Sequence, residues 1–522
     1  VWFPCHESFT DKATFNTTLR VPQGWKGVAG GVLTDQGMDN LTGELSYQWS
    51  LRHPIPPYLA SFAVGHYAEL RDTFDAALGP LPVSLFVSPA KRETALETFS
   101  ELEQVFHAFE TWFGPYRWDR LGYVAVDFPS GAMEHATSVA YPHKYTGNVP
   151  GSARLWAHEL AHSWFGNLVT CQDATEMWLN EGLARYAESL YYRAAKGEAA
   201  AEAYLDQLHY RVLRYTPQAD GGRKPLTPMP LDHTYGSTTY DQGGLVTGNL
   251  HKLLGDSLFF AALRHYLGKH AWGNAQTSDM HQGLEDISGK DLEGVFQNWV
   301  YGADLPVWVA TLGEPQKPDS LNPGYRTRLH LERWDDRPDS LPPYTQPLHV
   351  VVANDRMAQM DTLLLHPSPS GLDTVLSAPV PWTRSWVAPE GLRQGAVEFT
   401  FALIPGDTLE APTLQADVIA PERAASRGLI RCLFAPAPLD SSLDVMPYVW
   451  EVNTAPGVSA LPVLVLHPEK LGGIYGDVWI WKRTSTYVWQ QLEKVELDAN
   501  GRLTLKLDEP GFYTLQRQKQ EE

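Results

Sequence analysis

Leu155-Trp156-Ala157-His158-Glu159-Leu160-Ala161-His162-Ser163-Trp164-Phe165-Gly166 is the stretch on which the reading of this chain turns. Leu155, Trp156, Leu160 and Trp164 recur at helical spacing, and Gly166 reads as a stop. On such a helix His158 and His162 lie on one face, one turn apart, so both imidazoles reach the same ion. Imidazole and carboxylate donors suit zinc, and a catalytic zinc keeps its fourth position for water. The ion brings the pKa of that water toward neutrality, and Glu159 is placed to take the proton. A third ligand must come from elsewhere. Glu181, in Trp178-Leu179-Asn180-Glu181-Gly182, stands nineteen positions after His162, enough for a loop and a returning helix. Asp173, Glu176 and Glu188 compete with it on spacing alone.

Outward from this stretch the pattern changes twice. Residues 1–70 read as short strands and turns, with Thr14–Leu19 strand-like, Leu59–Gly65 a candidate last strand, and frequent glycines between. From about residue 91, Ala95, Phe99, Leu102, Phe106, Phe109 and Phe113 form one apolar helical face ended by Gly114-Pro115. A strand at Leu121–Val126 follows. Helical patterning then continues to about residue 300, for example Leu179, Leu183, Tyr186 and Leu190, then Val246, Leu250 and Leu253. After Leu305-Pro306 the helices stop and strands with Pro-rich joints take over. Near the end, Val495 and Leu497, then Asn500-Gly501, then Leu503, Leu505 and Leu507 read as a hairpin with one buried face. Trp156, Trp164 and Trp178 read as core, and His143 and His233 as structural or surface residues.

A chain of 522 residues is long enough for three or four domains. Charged residues make up 20% and hydrophobic ones 43%, which excludes a disordered chain. A net charge of −20 argues against generic binding to nucleic acid or to an anionic membrane. Three cysteines are too few for a disulfide framework, leave at least one free thiol and do not fix the compartment. No apolar run is long enough to span a bilayer. The chain begins Val1-Trp2-Phe3-Pro4, which reads as a processed or trimmed product with any targeting signal upstream.

With these residues in hand, the chain resembles the zinc aminopeptidases of the membrane alanyl aminopeptidase and leukotriene hydrolase type. Gly131-Ala132-Met133-Glu134-His135 is similar to the family's Gly-Ala-Met-Glu-Asn motif. His158, His162 and Glu181 have its ligand spacing. Tyr240-Asp241-Gln242-Gly243, with Tyr235 five residues earlier, is similar to its Tyr-x-Lys-Gly segment. Trp2-Phe3-Pro4-Cys5, followed by Asp11–Phe15, resembles a stretch of its first domain. The likeness spans residues 1–245 in family order and is loose from 305 on. It implies a multidomain α+β fold. Residues 1–70 would be the C-terminal part of an N-terminal β domain, and 71–304 a mostly helical, thermolysin-like zinc domain. A β-sandwich domain would follow over 305–392 and an additional β-rich domain over 393–522. It also implies one zinc ion on His158, His162 and Glu181, with Glu159 as general base and Tyr240 as oxyanion stabiliser. Glu134 would anchor the substrate's α-ammonium, and Gly131, Ala132, Met133 and Tyr235 would line the peptide site. The expected partners are peptides with a free N-terminus.

Three features depart from the family. His135 replaces the motif's Asn, which would reorient Glu134 or tie amine binding to pH near the His pKa. Gln242 replaces the usual Lys and removes a positive charge. About a hundred residues or more are expected before the Trp-Phe-Pro-Cys stretch, by resemblance and usual domain size. Taken alone, His-Glu-x-x-His fits an endopeptidase equally well, and the departures fit a catalytically impaired peptide-binding fragment.

Overall fold

Alternation builds the first strands. In β1 (Ala13–Val21) the half-buried Phe15, Thr17 and Leu19 alternate with exposed residues. β2 (Lys26–Ala29), β3 (Val32–Met38), β4 (Leu45–Ile55) and β5 (Phe62–Gly65) follow. β1, β4 and β3 form an antiparallel sheet in that order, and β2 pairs with β5. Of the stretch Leu59–Gly65 only the last four residues are extended, because Pro56 and Pro57 start a single 3-10 turn over Pro57–Leu59. Val28, Ala29 and Trp49 pack with Phe86 and Val124 of the next sheet.

The computed structural model describes residues 2–129, 131–147, 149, 151–214, 216–221, 223–303, 308–333, 348–354, 359–368 and 371–387. Beyond these it describes 397–403, 408–411, 416–419, 428–434, 443–454, 463–466, 478–485, 488–495, 502–506 and 511–518. They fall into two compact units: Val1–Leu208 with Leu226–Leu292, and His209–Pro225 with Glu293–Glu522.

In the first unit β6 (Ala68–Ala76) and β7 (Gly79–Val87) form an antiparallel hairpin. β8 (Leu121–Val126) and β9 (Val139–Pro142) then add in parallel, giving the order β6-β7-β8-β9. Between β7 and β8 the apolar face read over 95–113 is intact and buried, but two helices carry it: α1 (Arg92–Thr98) and α2 (Leu102–Phe113). The break has a local cause. Ser100 Oγ donates to the Glu97 carbonyl at 2.9 Å, a bond that competes with the helical ladder. α2 ends at Gly114, whose φ of +95° suits glycine.

The helical part continues with α3 (Ser152–Ala161), a short parallel pairing of β10 (Thr170–Cys171) with β11 (Asn274–Ala275), and α4 (Trp178–Lys196). α5 (Glu198–Arg214) follows, its last residues from His209 on and α6 (Thr216–Ala219) counting with the second unit, then α7 (Gly243–Lys269) and α8 (Thr277–Ser288). α7 is broken at Gly255, with φ +73°. No described helix is long and apolar enough to cross a membrane.

In the second unit, after α9 (Glu293–Trp299), the described residues are strands. One sheet orders Trp308–Leu312, Tyr325–Arg333 and Leu372–Ala378, and two further sheets hold nine and four of the described strands. The turn of the hairpin expected around Asn500-Gly501 lies outside the described residues; among those described, the flanking strands pair with other neighbours. Val488–Val495 pairs with Val478–Ser485, and Leu503–Lys506 pairs with Val463–Leu466. Leu503 and Leu505 are buried as the alternation requires. Alternation fixes which face is buried, not which strand is the neighbour. Residues 496–501, where the turn was read, and Leu507 lie outside the described residues.

Candidate active site

α3 carries His158 and Glu159, and His162 stands one residue past its end. The chain then reverses at Gly166, where Gly166 N–H donates to Val169 O at 2.8 Å. Its φ is +112°, and a Cβ there would sit 3.3 Å from His162 Nδ1, so only glycine lets the chain turn so close to the ring. The start of α4 is pinned to this turn. Trp178 Nε1 donates to Thr277 Oγ1 at 2.8 Å, and Cys171 N–H donates to Asn180 Oδ1 at 3.1 Å.

Together these constraints close a triangle. His158 Nε2 lies 3.2 Å from His162 Nε2 and 3.4 Å from Glu181 Oε2; His162 Nε2 lies 3.3 Å from the same oxygen. All three residues are buried. Donors held about 2.0–2.1 Å from a tetrahedral zinc are separated by about 3.3 Å. The triangle therefore has the size, and the donors the chemistry, that zinc requires. Both imidazoles use the opposite nitrogen elsewhere. Nδ1 of His158 meets Glu188 Oε1 at 3.0 Å, and Nδ1 of His162 meets Phe165 O at 2.9 Å. These bonds fix Nδ1–H and turn both Nε2 lone pairs toward the triangle.

Charge fits an ion as well. Burial opposes a charge on either imidazole. Even so, Glu181 and Glu188 raise His158 to about 9, and Glu181 and Glu134 raise His162 to about 10. Burial likewise opposes charge on Glu181, but the two imidazoles hold its carboxyl well below the usual range. A divalent cation would replace the protons these rings otherwise hold.

Glu159 and Glu134 face the same space. One oxygen of each and a ring nitrogen of His162 lie within 4.8 Å of one another. Glu159 Oε2 is buried without a partner among the described residues, and burial raises its carboxyl above the usual range. Glu134 lies on the loop between β8 and β9, held along the edge of β9 by paired bonds between Met133 and Ala140 at 3.0 and 2.9 Å. Asn167 Nδ2 donates to the Glu134 carbonyl at 2.8 Å. On this loop Gly131 is exposed with φ +66°, and Ala132 and Met133 are half-buried. His135 is half-buried, with an unpartnered Nδ1, and burial lowers its pKa to about 4. Burial thus favours the neutral imidazole and moves its titration below the ordinary His value.

Tyr240 sits on a π-helical turn, Thr238–Gln242, that leads into α7. Its ring lies nearly parallel to that of His158, with centroids 6.1 Å apart. Burial, then the carboxylates of Glu181, Glu134 and Glu159, raise its phenol well above the ordinary value, so it remains a donor. Tyr235 is 60% exposed. Gln242 is buried with an unpartnered Nε2 among the described residues.

The competitors for the third ligand go elsewhere. Asp173 caps the 3-10 turn at Thr175, and Glu176 accepts from Thr277 N–H at 3.1 Å. Glu188 stands behind His158, on its other nitrogen. Sequence reasoning missed Arg185, which bonds both Glu188 and Asp241, and Tyr58, whose OH lies 3.5 Å from Asn180 Nδ2. The spacing of Glu181, Arg185 and Glu188, four and then three residues apart, was the available signal that they share a helical face.

Residues 97–299 match the Peptidase family M1 domain. The chain is 28% identical over 324 residues to glutamyl aminopeptidase of Sus scrofa, covering 58% of this chain and 34% of that protein. It is 29% identical over 337 residues to aminopeptidase B of Mus musculus, covering 62% and 49%. It thus spans between a third and a half of these relatives. The structure superposes on that of an M1 zinc metallopeptidase from Deinococcus radiodurans with a TM-score of 0.51 at 24% identity, covering 57% of this chain and 66% of that one.

Proposed function

We propose that this chain, whose residues 97–299 match the Peptidase family M1 domain, is a zinc-dependent aminopeptidase that removes the N-terminal residue of peptides. The single observation that carries this reading is the buried triangle of His158, His162 and Glu181, with Glu134 and Glu159 beside it, the latter's Oε2 buried without a partner among the described residues.

His158, His162 and Glu181 would hold the metal. When bound, zinc polarises the scissile carbonyl and acidifies the attacking water. Glu159 removes a proton from that water and returns it to the leaving amine nitrogen. Its raised pKa suits it to both tasks. The Tyr240 phenol, kept protonated, donates a hydrogen bond to the carbonyl oxygen as negative charge builds there. Glu134 pairs with the substrate's α-ammonium, and an internal amide offers no such charge. The backbone of Gly131, Ala132 and Met133 aligns the peptide, with Tyr235 at the rim. For residues 305–392 and 393–522 we read a β-sandwich domain and a further β-rich domain; the strands of both stretches support a β-rich reading, while one nine-stranded sheet pairs Arg384 and Ser385 with Phe401 and Thr400 across the boundary between them.

The test is Glu159→Gln, assayed on an aminoacyl-arylamide with zinc content measured in parallel. Turnover should be lost while one zinc per chain is retained. Retained turnover removes Glu159 from the mechanism. An acetylated peptide cut as fast as the free one would replace the reading with an endopeptidase.

A further inference from the structure

Arg185 lies between two carboxylates that serve different parts of the site. Its Nη1 donates to both oxygens of Glu188, at 3.0 and 3.1 Å. Its Nε and Nη2 donate to Asp241 Oδ1, at 3.1 and 2.9 Å. Glu188 is the carboxylate behind His158. Asp241 is buried and directly follows Tyr240 on the π-helical turn. A guanidinium is a rigid planar fork, so the separation of the two carboxylates is fixed by covalent geometry.

Glu188 has other donors. The Tyr204 hydroxyl donates to it at 2.7 Å, and Arg154 Nε lies 3.3 Å away. Neutralising Glu188 therefore does not require Arg185; what Arg185 adds is the link to the turn. The exit of that turn lies flat on the arginine stem, since a Cβ on Gly244 would sit 2.9 Å from Arg185 Cγ.

We propose that Arg185 is a positioning residue for catalysis. It ties the turn bearing Tyr240 to the carboxylate that orients His158, and so sets the phenol against the reacting carbonyl. The inference rests on reading Tyr240 as the oxyanion donor. A donor displaced by about an ångström loses much of its effect, which is why a strut that touches no metal donor matters to rate.

The test uses the zinc-loaded full chain with D241N, R185K, Y240F and the double variant D241N/Y240F, each checked for folding by circular dichroism. D241N keeps size and shape, so it reports on the link even where an Arg185 variant misfolds. R185K keeps the charge but not the fork. Both should lower kcat roughly 10–100-fold with KM within about threefold. Zinc affinity, measured against a chromophoric chelator, should stay within about threefold of the parent, in contrast to E188Q. D241N/Y240F should be no slower than Y240F by more than about twofold, because D241N acts only through the placement of the phenol that Y240F removes. If Y240F is impaired and the two losses multiply, or if D241N loses zinc as E188Q does, the inference falls and the Tyr240 reading stands. Full kcat in Y240F would overturn that reading, and this inference with it.

Discussion

Gly182 and Gly243 meet backbone to backbone: a Cβ built on Gly182 would lie 2.8 Å from the Gly243 Cα, and one on Gly243 would lie 2.9 Å from the Gly182 Cα. Gly182 follows Glu181, the proposed third metal donor, and Gly243 follows the turn bearing Tyr240. The contact brings α4 and the start of α7 close enough for phenol and imidazole to share one space. Alanine at either position must push these helices apart. We expect G182A and G243A each to cost about 1–3 kcal/mol in urea unfolding. kcat should fall more than zinc affinity does.

Glu188 accepts from His158 Nδ1, Arg185, Tyr204 and, at longer range, Arg154, and these donors hold its carboxyl at about 2, against the cost of burial. It therefore orients the His158 ring without being a ligand. Glu188→Gln should weaken zinc binding about 10–100-fold in a chelator competition while one ion per chain still binds at saturation. Unchanged affinity would show that His158 needs no carboxylate behind it.

His135 has a pKa of about 4 in the folded chain, against about 6.5 unfolded. Its neutral form is favoured by folding, so its contribution is intact above pH 6.5 and is lost as pH falls toward 4. Between pH 7 and pH 5 the parent should lose about 2 kcal/mol of stability through this group alone. His135→Asn should lack that part of the loss, read as the difference between melting curves at the two pH values. Identical pH dependence in parent and variant would contradict the assignment.

Thr137 holds φ +58°, in the left-handed region, on the loop that presents Glu134. Its Oγ1 accepts from Gly31 N–H at 2.6 Å, and its carbonyl accepts from the buried Arg120 at 2.9 Å. Thr137→Ala should cost about 1 kcal/mol or more, since the bond is lost and the strained φ remains. Thr137→Gly loses the same bond but relieves the φ, so its cost in urea unfolding should be smaller.

Where the sequence pattern was strong, elements formed close to where they were read. Leu121–Val126 is β8, and the face carrying Leu179, Leu183, Tyr186 and Leu190 is the buried side of α4. The pattern misled where it recorded burial without connectivity. Six apolar residues from Ala95 to Phe113 are buried together, but they ride on two helices and, at Phe99, on the joint between them. Leu503 and Leu505 are buried and, among the described residues, pair with a strand about forty residues upstream.

Residue spacing alone placed His158 and His162 on one helical face, able to reach one ion, because four residues on a helix is one turn and nothing distant enters. It could not rank Asp173, Glu176, Glu181 and Glu188 as the third donor. Each could reach along the chain, and the choice depends on where α4 packs. Tertiary structure made that choice. Gly166 turns the chain beneath His162, Asn180 fastens α4 to β10, and Gly182 admits the backbone of Gly243. With the helix so fixed, Glu181 points at both Nε2 atoms, while Glu188, two turns on, reaches only Nδ1 of His158 and passes the constraint through Arg185 to the turn of Tyr240.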